Sequence, residues 1–254
     1  MRTEILYEDK SIMVVRKPAG LAVQSAGIGQ PDVVSELKSY LAKLPGAGRP
    51  GKGEPYLGIV HRLDQPVEGL LVFAKDKKAA AALSKQLTEG ALNKHYYAVL
   101  CGYPDCPEGD LVDYLRKEGN MAVAVTGREQ EFADAKIAAL HYRILEEIND
   151  PSPLALADVT IGTGRFHQIR VQFAHAGFPL LGDTKYGMAA LKEAMPAQKY
   201  RGVALCAYSL ELVHPISGKK MGFRVVPKNP AFAGFAMEEL KKLTENETGI
   251  SKRG

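Results

Sequence analysis

The sequence predicts an α+β fold built on a mixed, mainly antiparallel sheet with flanking helices. Three observations point there. Strand-like runs outnumber helix-like ones, many of the runs are joined by hairpin-length turns, and the strict strand–helix alternation of a parallel fold is absent.

The elements follow in order. Residues 3–7 and 12–16 are short β-rich runs separated by the polar insert Glu8-Asp9-Lys10. Lys17-Pro18-Ala19-Gly20 breaks the second run, and Leu21-Ala22-Val23 reads as a further short strand. Val34, Leu37, Leu41 and Leu44 recur at three- and four-residue steps, which predicts a helix over 33–44. Residues 45–55, rich in glycine and proline, read as a surface loop.

The apolar run 70–74 predicts a strand buried on both faces. Asp76 suits the N-cap of a helix reaching Glu89, with Gly90 as its stop and Ala80, Leu83 and Leu87 inward. Residues 94–101 read as a strand. Residues 108–148 read as hairpins turning at Gly119-Asn120 and Thr126-Gly127-Arg128. A strand over 154–161 leads through Gly164 into a helix over 165–176, with Phe166, Ile169 and Phe173 on one face. Strands over 203–212 and 220–226 flank a Pro-Ile-Ser-Gly turn. A final helix is expected over 232–243, followed by a polar, disordered tail over 244–254. Residues 1–243 thus read as one domain.

Bulk properties exclude more than they identify. A chain of 254 residues is long enough for a substantial core. No stretch is long and apolar enough for a membrane span, and no signal peptide opens the chain. A net charge of +4 permits an anionic partner without demanding one. The three cysteines, Cys101, Cys106 and Cys206, form no CxxC pair and fit structural thiols in a reducing cytoplasm.

Three segments carry chemistry. In the first, His61-Arg62-Leu63-Asp64 leads through Gln65 to Glu68 into the buried run ending at Lys75. A carboxylate among cationic neighbours is available as a nucleophile or base. On spacing alone, a structural surface cluster is the commoner reading. The second segment is Lys94-His95-Tyr96-Tyr97. Alternation puts Tyr96 on one strand face and His95 with Tyr97 on the other, a pattern that packing explains equally well. The third, Gly162-Thr163-Gly164-Arg165, runs into a helix start, where free N–H groups face either an anion or an ordinary cap.

Other chemistries find less support. The glycines do not complete GxGxxG, and no GxxxxGK[ST], HExxH or GxSxG is present. His167 and His175 fall about 80° apart around a helix, a poor match for a metal pair. Asp64 and Glu68 as a glycosidase pair are separated by Pro66 in a cationic setting.

Together the three segments resemble the RluA-type pseudouridine synthase family. The family pattern HRLDxxTSGLLVFAK is met at His61 to Asp64 and at Gly69 to Lys75, and a basic residue, any residue, then tyrosine is met at Lys94 and Tyr96. The family's GRxHQIRVHLAHxGxPIxGDxxYG is similar to GRFHQIRVQFAHAGFPLLGDTKYG over 164–187. The likeness runs from about residue 4 to residue 226, in order. Two departures stand out. Val67-Glu68 replaces a pair of small hydroxyl residues and adds a negative charge near Asp64, and Gln172-Phe173 replaces His-Leu. No N-terminal RNA-binding module is expected ahead of the catalytic fold.

The resemblance implies a pseudouridine synthase fold with a central RNA-binding cleft. It implies an isomerase that converts uridine in RNA to pseudouridine, by base flipping and without cofactor or metal. Asp64 would be the nucleophile or ribose-directed base, Arg165 its basic partner, and Tyr96 the residue stacked on the base. Arg62 would fill the vacated stack, with His61, Lys75, Lys94, Arg170 and the lysines at 77 and 78 as RNA contacts. The implied partner is a ribosomal or transfer RNA stem-loop, met by a monomer. Two rival readings remain: an RNA-binding relative that has lost catalysis, separated by tritium release, and a sugar hydrolase using Asp64 and Glu68, separated by glycoside cleavage.

Overall fold

The structure, a computed structural model, describes residues 1–25, 27, 29–44, 54–126, 134–149, 152–187 and 202–237. The chain divides into two compact units. The first comprises Met1–Asn93, Ala207–Pro227 and Glu239–Gly254; the second comprises Lys94–Cys206 and Lys228–Glu238.

In the first unit, β1 (Glu4–Glu8) pairs antiparallel with β2 (Ile12–Lys17). The turn between them is tied by Asp9, whose carboxylate accepts the N–H groups of Ser11 and Ile12. After α1 (Val33–Ala42), β3 (Gly58–Ile59) and β4 (Glu68–Ala74) both enter this sheet. β4 pairs antiparallel with β2, matching Lys17 to Gly69 and Ile12 to Ala74. All seven β4 residues are buried, and those at 70–74 are the apolar run expected to be buried on both faces. The order across the unit is β1-β2-β4-β10, with β10 (Leu205–Val213) continuing to β11 (Lys220–Arg224). Gly69 explains the close approach there. Its φ is +126°, and a Cβ would lie 2.4 Å from the carbonyl oxygen of Ala207.

The helix α1 and the next helix, over 77–88, are both capped by aspartates. Asp32 accepts from the Ser35 N–H and Asp76 from the Ala79 N–H. The buried face of α2 (Lys77–Thr88) is Ala79 and Leu83, one step round from the Ala80-Leu83-Leu87 face expected. Gln86 accounts for the rotation: its amide accepts the Val213 N–H and donates to the Val213 carbonyl, turning toward β10. Leu21-Ala22-Val23 forms only an isolated bridge between Ala22 and Asp32, not a strand.

The second unit carries a sheet in the order β5-β9-β8-β6-β7, from β5 (Asn93–Cys101), β6 (Glu108–Glu118), β7 (Met121–Val125), β8 (Lys136–Asn149) and β9 (Pro153–Ile161). Its ladders β5–β9, β8–β9, β6–β8 and β6–β7 are antiparallel. Gly119, at φ +58°, makes the expected β6–β7 turn. α3 (Gln168–His175) packs Val171 against Leu115, Ala122 and Ala138 of this sheet. It starts three residues later than expected, so Phe166 lies in the preceding loop and is 41% exposed.

The expected last helix is replaced at its start by a 3-10 turn, Pro230–Phe232, which Asn229 caps. Residues 238–243, the tail over 244–254, most of the expected loop 45–55 and the expected turn residues 127–128 lie outside the described residues. Among the described residues, no helix is long and apolar enough to cross a membrane.

Candidate active site

Asp64 sits on the loop that feeds β4. Leu63 and Val67 on either side are buried and fasten this loop to the core, while the Val67 N–H closes a turn on the Asp64 carbonyl at 3.0 Å. The next residue is held from the other side. The Gln65 carbonyl accepts the Gly20 N–H at 2.8 Å and the Lys17 amine at 3.0 Å, and the Gln65 amide donates back to the Gly20 carbonyl at 3.3 Å.

Lys17 is the functional feature that sequence reasoning passed over. It ends β2, has no exposed surface, and donates to the carbonyls of Pro18 and Leu21 as well as Gln65, at 3.0, 2.7 and 3.0 Å. Burial pushes its amine down to about 7, against the raising influence of the Asp64 and Glu68 carboxylates. A lysine closing the strand run Ile12-Met13-Val14-Val15-Arg16 and followed by Pro18-Ala19-Gly20 was the available signal. Such a side chain must either turn out to solvent or find buried acceptors, and here it finds three.

The other residues of this segment divide by exposure. Arg62 is exposed and reaches Gln24 at 3.3 Å. His61 is buried, and its Nε2 accepts the Val72 N–H at 3.3 Å, which puts the neutral ring's proton on Nδ1. Lys75 spans to Glu8 at 2.6 Å and to the Asp9 carbonyl. Glu8 also accepts from the Tyr40 hydroxyl. His61 and Lys75 thus tie the framework of the first unit together.

In the second unit, Lys94 and Tyr96 open β5, and Tyr96 stands opposite Val159 of β9. Tyr96 and Tyr97 are both buried, and His95 approaches Asp158 at 3.2 Å. Burial lowers the half-buried Lys94 amine below the ordinary lysine value. Arg165 follows the end of β9 by four residues, so the start of β5 and this arginine share one end of the sheet.

The glycine-rich loop before α3 is closed from within. Buried Gln168 accepts the Arg165 N–H at 3.0 Å and the Thr163 hydroxyl at 2.8 Å, and donates to the Ala139 carbonyl at 3.0 Å. The Arg165 Nε donates to the Ile137 carbonyl at 2.9 Å. His167, at φ +54°, stands where a side-chain cap is usual, and its Nδ1 shares a hydrogen bond with the Tyr186 hydroxyl at 2.7 Å. The same hydroxyl accepts the Ala122 N–H at 2.7 Å.

Arg170, expected as a phosphate contact, is buried against an acidic partner. It is 4% exposed, and its guanidinium forks onto Asp183 at 2.7 and 2.8 Å. Asp183 also accepts the N–H groups of Lys185 and Tyr186. Arg170 therefore fastens the Gly182–Gly187 turn to α3. Gln172, in place of the family's histidine, is fully buried and donates to Leu111, Asp113 and Ala138.

The pattern described as RNA pseudouridylate synthase matches residues 11–175. The chain belongs to the RNA pseudouridylate synthase family. It is 36% identical over 230 residues to the ribosomal large subunit pseudouridine synthase D of Zymomonas mobilis, covering 87% of this chain and 68% of that one. The synthase of the same name from Escherichia coli is 36% identical over 232 residues, covering 86% and 65%. The chain thus spans about two thirds of the length of these curated relatives. Among solved structures it is similar to human RNA pseudouridylate synthase domain containing 4, with a TM-score of 0.68, 25% identity and 89% of each chain covered. The α+β architecture expected from the sequence is the synthase fold. The segments holding Asp64, Tyr96 and Arg165 lie within the matched residues.

Proposed function

We propose that the chain isomerises uridine in RNA to pseudouridine, with Asp64 as the catalytic carboxylate. The single observation that carries this reading is the Asp64 loop itself, pinned by Leu63, Val67 and the Lys17 amine within a segment that matches the synthase family. A group that must act on one bond of one nucleotide needs such a rigid support.

The reaction breaks the nitrogen–carbon glycosidic bond, turns the uracil and forms a carbon–carbon bond, while the hydrogen on the newly attached ring carbon leaves as a proton. It is redox-neutral and calls for no cofactor. Asp64 serves as nucleophile or ribose-directed base. Tyr96 stacks on the base and helps with the departing proton; since a free tyrosine titrates near about 10, that second task needs local help. Arg165 serves the reacting centre, and its 2.9 Å bond to the Ile137 carbonyl fixes the direction in which the guanidinium leaves the loop. The target uridine must leave its stack, and the exposed Arg62 suits the vacated place.

For RNA contact, the exposed Arg62 and the partly exposed Lys94 fit phosphate or stacking roles. Lys77 and Lys78 are exposed at the start of α2 and fit the same role. His61, Lys75 and Arg170 act through the framework instead, because His61 is buried with its Nε2 on Val72, and the charges of Lys75 and Arg170 are met by Glu8 and Asp183. The reading treats residues 1–243 as a single catalytic domain because one family match runs without a break over 11–175. The names of the relatives favour ribosomal RNA as substrate. A transfer RNA stem-loop is the second candidate, and the reading is of a monomer acting in the cytoplasm.

The test is tritium release from RNA labelled at uracil carbon 5. The purified chain is incubated with ribosomal and transfer RNA from cells lacking its gene, and the new pseudouridines are mapped. Release with a defined set of sites supports the proposal. RNA binding without release would identify a relative that has lost catalysis.

A further inference from the structure

Glu68 stands where the family pattern has a small hydroxyl residue. Glu68 is 3% exposed, and the Arg16 guanidinium lies 3.6 Å from its carboxylate. Arg16 is itself buried and donates to the Val226 carbonyl at 2.6 Å. The next residue is Lys17, so two adjacent cations are buried at the end of β2. In the β2–β4 register Arg16 faces Leu70 and Lys17 faces Gly69, which puts Glu68 just past the end of the ladder. Two buried cations without a counter-charge would be expensive to hold. The carboxylates supplied to them within this unit are Glu68 and Asp64.

We propose that Glu68 is a positioning residue for the reaction at Asp64: its carboxylate neutralises the buried Arg16–Lys17 pair at the foot of β4, and so keeps the Lys17 amine on the Gln65 carbonyl that holds the Asp64 loop. The inference rests on the reading of Asp64 as the catalytic carboxylate. A hydroxyl at this position supplies no charge, so this chain holds its loop by a buried ion pair where the family pattern offers only hydrogen bonds.

The charges around Lys17 make the consequence pH-dependent. Burial brings its amine to about 7; Asp64 and Glu68 oppose that shift, while Arg2 adds to it. Removing the Glu68 charge takes away one of the two opposing carboxylates. Lys17 then loses its proton at lower pH, and the three-carbonyl clamp weakens in a range where the wild-type clamp holds.

The experiment compares wild type with Glu68→Gln, Glu68→Ser and Glu68→Asp. Tritium release is measured from pH 5 to 9 at saturating RNA, with KM for RNA measured alongside. Serine is a residue the family pattern carries here, so Glu68→Ser is the variant most compatible with folding. The expected result is a turnover profile whose alkaline limb moves about one pH unit lower in the Gln and Ser variants. KM is unchanged and Glu68→Asp recovers most of the wild-type profile. A loss that is equal at every pH, or a profile identical to wild type, overturns the proposal.

Amide hydrogen exchange at Gly20, whose N–H donates to Gln65, supplies a readout that needs no activity. Corrected for intrinsic rates, protection at pH 6.5 should fall in Glu68→Gln and persist in Glu68→Asp. Absence of tritium release from wild type would defeat the catalytic reading alone. Unchanged Gly20 protection in Glu68→Gln would defeat the Glu68 proposal alone.

Discussion

The Lys17 amine lies 3.0 Å from the carbonyl oxygen of Gln65, so the last residue of β2 holds the residue next to Asp64. Lys17→Met should therefore lower turnover more than RNA affinity, since RNA phosphates are not what Lys17 touches. The variant also separates the amine's effect on stability. Its folded value of about 7 lies below the ordinary 10.5. Between those values the unfolded chain binds more protons than the folded one, so this group makes stability rise with pH. The gain is lost as pH falls through about 7. Urea denaturation at pH 6 and pH 9 should show wild type gaining on Lys17→Met at the higher pH. A difference that does not change with pH would contradict the buried ammonium.

Arg170→Ala should unfold the protein at markedly lower denaturant, by about 3–5 kcal/mol, because it leaves Asp183 buried without its guanidinium. Arg170→Lys should recover only part, since a lysine keeps the charge but loses the planar fork. If Arg170 were instead an RNA contact, the salt dependence of RNA binding would weaken while stability stayed near wild type. Denaturation and binding titrations on the same preparation separate the two.

Arg165→Ala should cut turnover far more than RNA affinity. Its backbone and Nε are fixed by Gln168 and Ile137, an arrangement suited to aiming one side chain rather than to general phosphate binding. Single-turnover rates and dissociation constants measured together provide the check. Equal falls in both would make Arg165 chiefly an RNA contact.

Arg62→Ala should hurt most on a structured stem-loop and least on an RNA whose target uridine is already unstacked. Arg62 is exposed and held by a single 3.3 Å contact to Gln24, so it is free to swing into a vacated stack. Unstacking requires a few kcal/mol, on the order of what an inserted planar cation offsets in part. A fluorescent base analogue beside the target reports flipping directly. Equal losses on both RNAs with normal flipping would assign Arg62 to the chemistry or to general binding.

The elements were legible where local pattern and burial agree. The apolar run of β4, the aspartate caps at Asp32 and Asp76 and the Gly119 turn follow from residue chemistry alone. The start of α3 was not legible, because the Gln168 side chain holds the preceding loop from inside the helix. The rotation of α2 was equally hidden, since Gln86 answers to Val213, 127 residues away. At the site, the Asp64 loop was recognisable from its motif. The burial of Arg170 and Lys17 was not, because a charged residue in a sequence carries no mark of the buried partner that accepts it. Asp183 and the carbonyls of Pro18, Leu21 and Gln65 became partners only through tertiary structure.

Asp64→Asn tests the central claim most directly. The amide is nearly isosteric and leaves the fastenings of the loop at Leu63, Val67 and Gln65 in place, but it supplies neither nucleophile nor base. The measurement is tritium release from uridine-labelled RNA by the purified variant, alongside its denaturation midpoint and RNA affinity. The predicted result is release at background level, with stability and binding near wild type because phosphate contacts supply much of the affinity. Pseudouridine formation by Asp64→Asn at a rate near wild type would contradict the account.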